Sequence, residues 1–158
     1  VGVAATFILG IVIFKTIYTP LKFSSSLIPP EQGLPVLMGV EGKLDFDNAM
    51  SEFKAEDYNS AINGFSSSLK VNPNNDTAMY YLGNCYLHVG NYNDAIYLYS
   101  RIIQNSKSNY FQRAQFYLAL SYLGSGNFLH AKQLFIRISN SKGHPFKAEA
   151  TSLANKIR

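Results

Sequence analysis

The chain has 158 residues, a net charge of +4, 15% charged residues, one cysteine and no tryptophan. That length holds one small elongated core, and a lone cysteine excludes an internal disulfide. No Gly-rich phosphate loop, nucleophile elbow, CxxC or HExxH spacing is present, and the basic excess comes without a nucleic-acid recognition motif, so the sequence points to a binding module with no cofactor.

The first residues differ in kind from the rest. Residues 1–14 are uncharged and almost wholly apolar, and Lys15 is followed by Thr16-Ile17-Tyr18. A complete membrane crossing needs about 20 apolar residues, and the chain opens on valine, so 1–18 reads as the second part of a transmembrane helix that begins upstream. Lys15 and Lys22 would snorkel, with Tyr18 at the interface. Two rivals stay open: a signal-peptide core, which here lacks a basic leader and a small-residue cleavage site, and a buried core helix, which would need a large protein surface. Residues 19–42 then have linker composition, with Pro20, Pro29, Pro30 and Pro35, Ser24-Ser25-Ser26, and Gly33, Gly39 and Gly42. Such a segment favours extended, semi-rigid conformations and would hold the remainder away from a bilayer. Leu27, Ile28, Val36, Leu37 and Met38 are apolar enough to dock on that remainder instead.

From residue 43 the apolar residues take helical spacing. Phe46, Ala49, Met50 and Phe53 form one stripe, and Tyr58, Ala61, Ile62, Phe65 and Leu69 a second, which Pro73 ends among Asn72, Asn74 and Asn75. Next come Ala78, Leu82, Cys85 and Tyr86, then the turn Gly90-Asn91, then Tyr92, Ala95, Ile96, Tyr99 and Ile103. A third pair follows: Ala114, Leu118, Ala119 and Tyr122 precede Gly126-Asn127-Phe128, and Ala131, Phe135 and Ile138 complete it. After Pro145, which can take a first helical position, Phe146, Ala150, Leu153 and Ile157 make one last amphipathic helix suited to cap the stack; a truncated fourth repeat is the alternative.

These stripes repeat. Asn59-Ser60-Ala61-Ile62 recurs as Asn93-Asp94-Ala95-Ile96, a step of 34 residues, and Ala95 to Ala131 is a step of 36, which places two extra residues within 106–109. Each unit is a helical hairpin, and Ala61, Gly83, Ala95, Ala119 and Ala131 are expected at close helix contacts. The expected fold is all-α: three hairpins over 43–75, 76–109 and 110–143, a capping helix over 145–157, and the membrane helix ahead of them.

The run Ala78-Met79-Tyr80-Tyr81-Leu82-Gly83-Asn84-Cys85-Tyr86 with its Gly90-Asn91 turn resembles the tetratricopeptide repeat. Where that family usually ends a unit on proline, the second copy has Lys107 and the third Gly143. The resemblance implies a superhelix that binds another protein or peptide on its concave face. It carries the groove positions onto Phe46, Met50 and Phe53, onto Tyr80, Asn84 and Leu87, and onto Arg113, Phe116 and Leu120. Asn84 would bond a bound peptide backbone. Phe46, Met50, Phe116 and Leu120 stand where chaperone-binding members need Lys, Arg and Asn, which argues against a chaperone C-terminus as ligand. A true groove leaves Tyr80, Asn84 and Phe116 partly exposed while Leu82, Tyr86 and Ala95 are buried; the alternative is that the linker or the last helix covers these positions.

Other candidate chemistry is thin. Cys85 and His88 could begin a metal pair, but Cys85 takes a small-residue position of the repeat and reads as a core thiol, and His130 and His144 lie in other elements. Asp45, Asp47, Glu52, Glu56 and Asp57 read as a solvated helix face and turn. Residues 41–76 carry seven acids and three bases, and 77–158 nine bases and two acids; the later repeats either steer an acidic partner or are a solvated basic surface. The expected function is a membrane-tethered, non-enzymatic protein-binding scaffold, similar to bacterial envelope proteins in which one span precedes such repeats. A regulatory or oligomerisation module, with its activity in an upstream portion, is the alternative. The envelope resemblance implies a periplasmic repeat domain, whereas Lys15 and Lys22 on the repeat side argue for the cytoplasm.

Overall fold

Seven α-helices succeed one another in the computed structural model, which describes residues 23, 25–31 and 43–157. They are α1 (Lys43–Lys54), α2 (Tyr58–Val71), α3 (Asp76–His88), α4 (Tyr92–Ile102), α5 (Phe111–Gly124), α6 (Phe128–Asn140) and α7 (Lys147–Lys156). One turn of 3-10 helix spans Ser25–Leu27, and the described residues contain no strand. The expected membrane helix over 1–18 lies outside them; among the described residues no helix is long and apolar enough to cross a membrane.

Local chemistry starts and stops these helices. Asp57, Asn75 and Asn127 cap α2, α3 and α6, each accepting a backbone N–H three residues on, from Ser60 at 3.2 Å, Ala78 at 3.1 Å and His130 at 3.4 Å. The hairpin turns pass through the left-handed region at Glu56 (φ 61°), Gly90 (φ 83°) and Gly126 (φ 80°), each five residues ahead of Ala61, Ala95 or Ala131. The two extra residues of the 36-step fall in the connection 103–110, longer than its counterpart 72–75. There Ser108 donates to the Asp76 carboxylate and accepts the Tyr110 N–H.

Each helix packs on its chain neighbours, and the first helices also touch one another, α1 on α3 and α3 on α5. The second helices do not approach each other to the same degree, so α1, α3 and α5 form the inner side of the curve. Ala61, Ala95, Ala119 and Ala131 have no exposed surface, and a Cβ built on Gly83 would lie 2.9 Å from the Tyr99 ring. Aromatic pairs run the length of the stack: Phe46 against Phe65 at 5.4 Å, Phe53 against Tyr81 at 5.2 Å, Tyr80 on Tyr110 at 4.5 Å, Tyr99 on Tyr117 at 5.8 Å and Phe116 on Phe146 at 4.4 Å. Such pairs add about 0.5–1.5 kcal/mol each beyond their buried area.

Two expectations need correction. Pro145 is not the first residue of the last helix, which begins at Lys147: Phe146 is held in a non-helical conformation by its stack on Phe116 and by donating its N–H to His144 Nδ1 at 3.2 Å. Tyr86, expected in the core, is half-buried. Ala150, Leu153, Ala154 and Ile157 of the α7 region are buried beside α6.

Candidate functional site

The nine groove positions from the sequence fall on the inner helices, Phe46, Met50 and Phe53 on α1, Tyr80, Asn84 and Leu87 on α3, and Arg113, Phe116 and Leu120 on α5. Eight of them are buried: Tyr80 and Asn84 have no exposed surface and Phe116 has 1%. Partial exposure of these side chains in the free protein is therefore overturned. The reason lies in α3 and α5, whose apolar residues run round the whole circumference. From Ala78 to Cys85 every residue of α3 is buried, because α1, α2, α4 and α5 all pack on it. Asn84 turns its amide back on its own helix, with Nδ2 donating to the Tyr80 carbonyl at 3.0 Å.

Arg113 is the exception, with 44% of its side chain exposed. Counted by the 36-residue step, the equivalents of Tyr80, Asn84 and Leu87 are Phe116, Leu120 and Leu123. Arg113 thus stands one turn ahead of the core row and reaches past it. Tyr117, four residues on, shares its face of α5.

Phe23 and residues 25–31 of the same chain lie on this side. Phe23 sets its ring edge against Tyr92 at 5.2 Å, and Ile28 is buried in the core cluster. Arg113 Nη1 donates to Glu31 Oε2 at 2.9 Å, and Tyr117 Oη donates to Glu31 Oε1 at 2.8 Å. The Pro29 carbonyl is 3.3 Å from the same phenol; with one proton to give, Tyr117 bonds the carboxylate first. Only 8% of the Glu31 side chain is exposed. Between this segment and the first hairpin is a cleft of about 390 Å³ bordered by Ser25, Pro30, Phe53, Glu56, Tyr58 and His88. The linker's capacity to dock, one of the two sequence readings, is realised at Leu27 and Ile28; Val36, Leu37 and Met38 lie outside the described residues.

Three phenols feel the charge of the carboxylate. Burial, then the negative charge of Glu31, raises the pKa of Tyr117; burial likewise raises Tyr80 and Tyr99, with Glu31 among the smaller causes. Burial works against the Arg113 guanidinium, but Glu31 and the Tyr80 and Tyr117 phenols outweigh it and raise its pKa. Tyr80 Oη, Asn84 Oδ1 and Tyr99 Oη are buried and make no hydrogen bond of acceptable geometry, although Glu31 and Asn84 both lie near enough to Tyr80 to perturb it. The site's capacity is to grip a carboxylate on a neutral phenol and a fixed cation.

Glu31, Pro29 and Tyr117 were not among the sequence candidates. Tyr117 could have been found from its i+4 relation to Arg113; Glu31 is the first acid in the chain, a weaker signal. Elsewhere, burial pushes the Cys85 thiol up to about 12, so it is not a thiolate at neutral pH. His88 stacks on Tyr58 at 4.1 Å, with its pKa lowered by burial against the opposing charge of Glu56. Among the described residues no three of His, Cys, Asp and Glu come together to hold a metal.

The family model of the tetratricopeptide repeat matches residues 46–110, from α1 to the residue before α5. No curated protein matches the chain. The 34-residue register, the stacked hairpins and this match agree that residues 46–110 are built of tetratricopeptide repeats.

Proposed function

We propose that this protein is a non-enzymatic scaffold that holds an extended segment of a partner protein against the inner face of α3 and α5, and that residues 1–18 tether it to a membrane in a single pass. Tetratricopeptide repeats in general mediate protein–protein interaction, which sets the class. The observation that carries the specific reading is the chain's own segment on that face, gripped at Glu31 by Arg113 and Tyr117: a surface that accepts one peptide segment has the chemistry to accept another. The tether rests on the uncharged apolar run 1–14 flanked by Lys15 and Tyr18. The envelope analogy favours a periplasmic repeat domain.

Site-directed photo-crosslinking in the source cells tests both parts. A photoreactive residue at Lys54, which is exposed and borders the cleft beside the segment without bonding to it, should trap a protein partner, whereas the same residue at Leu129 or Ile136, exposed on α6, should not. Adducts from the α6 positions alone would move the interaction to the outer face. The same cells should yield the chain in membranes after an alkaline wash; release by that wash would remove the tether.

A further inference from the structure

We propose, building on the scaffold reading, that Arg113 and Tyr117 form a carboxylate-recognition site for a partner segment of the pattern apolar-Pro-Pro-acidic, and that the chain's own Ile28-Pro29-Pro30-Glu31 fills this site until such a partner displaces it. The site is built rather than incidental. Both oxygens of Glu31 are engaged, by Arg113 at 2.9 Å and Tyr117 at 2.8 Å, in a place where the carboxylate is almost wholly out of water. Two successive prolines have no N–H to satisfy and favour an extended backbone, which lowers the entropy lost on docking. Ile28 supplies the apolar anchor three residues ahead of the carboxylate.

The internal segment holds the site by proximity, since a tethered ligand acts at an effective concentration of order 1 mM. Partner affinity is then reduced by the fraction of molecules in which the site is vacant.

The probe is a BODIPY-labelled, C-terminally amidated peptide of residues 25–31, so that its glutamate side chain is the only carboxylate. Its binding to the full chain in detergent is read by anisotropy. Glu31→Lys, which sets a like charge against Arg113, should bind the probe at least about tenfold tighter than the parent by removing the tethered competitor. Adding Arg113→Gln to that variant, or replacing the probe's glutamate by glutamine, should abolish the gain. The inference is overturned if Glu31→Lys binds no tighter than the parent or if loss of Arg113 leaves binding unchanged. Independently of any variant, millimolar unlabelled peptide should speed amide exchange at Ile28 of the parent, whose N–H is bonded to the Ser25 carbonyl at 3.0 Å; unchanged protection would also overturn it. If the probe fails while crosslinks from position 54 persist, this inference falls and the scaffold reading stands; if both fail, both fall.

Discussion

Glu56 carries a backbone cost that its counterparts avoid. At φ 61° it occupies the turn position that Gly90 and Gly126 fill in the next two hairpins, and a residue with a Cβ in that region loses roughly 1–2 kcal/mol. Glycine would recover most of this while adding freedom to the unfolded chain. Glu56→Gly should therefore raise stability by about 0.5–1 kcal/mol, read as a higher urea midpoint at unchanged slope. A drop would mean that the Glu56 charge, which acts on Tyr58 and His88, contributes more than the strain removes. The repeat register makes the equivalence readable from Ala61, Ala95 and Ala131. That glutamate should adopt a glycine conformation is not, because nothing local to the residue signals it.

Among the elements, α4 and α6 announce their buried faces by their spacing, with Ala95 and Tyr99, and Ala131, Phe135 and Ile138, turned inward. Helices α3 and α5 do not, since a helix apolar all round offers no polar face by which to tell groove from core. That is why the groove positions on them turned out to be interior. Arg113, entered in the candidate set with the third-repeat row, is the one that reaches a ligand-like group. Its partner Glu31 is 82 residues away, a separation with no signature in a single sequence. The α3–α4 contact is sharply tuned: by the 34- and 36-residue steps Gly83 and Tyr99 correspond to Ala49 and Phe65, and to Ala119 and Phe135. The missing Cβ goes with the ring that carries a hydroxyl. Gly83→Ala gains about 1 kcal/mol of helix propensity but drives a methyl to 2.9 Å from a ring held against Tyr117, at about 1–3 kcal/mol for overpacking. The net expectation is a loss of about 1 kcal/mol in chemical denaturation; a more stable variant would refute the close approach at Gly83.

At the scale of the whole molecule, stability passes from hairpin to hairpin and must end on a closed surface. Helix α7 covers α6 in this way, with Ala150, Leu153 and Ile157 buried and Phe146 stacked on Phe116. Ending the chain after Gly143 should cost at least about 2 kcal/mol, the transfer value of one or two buried aliphatic side chains, and cause self-association visible in sedimentation velocity. A truncated chain that stays monodisperse with an unchanged melting temperature would deny α7 this role. At the other end, Phe23 touches Tyr92 at the start of α4 and Glu31 touches Arg113 and Tyr117 on α5, yet both precede α1 in the chain. Tension applied ahead of Phe23 meets the 3-10 turn Ser25–Leu27 and these contacts before it reaches α1. Under such a pull the segment is expected to give way as a mechanical fuse, baring Arg113 while all seven α-helices are still intact, read as a small early step in single-molecule force extension.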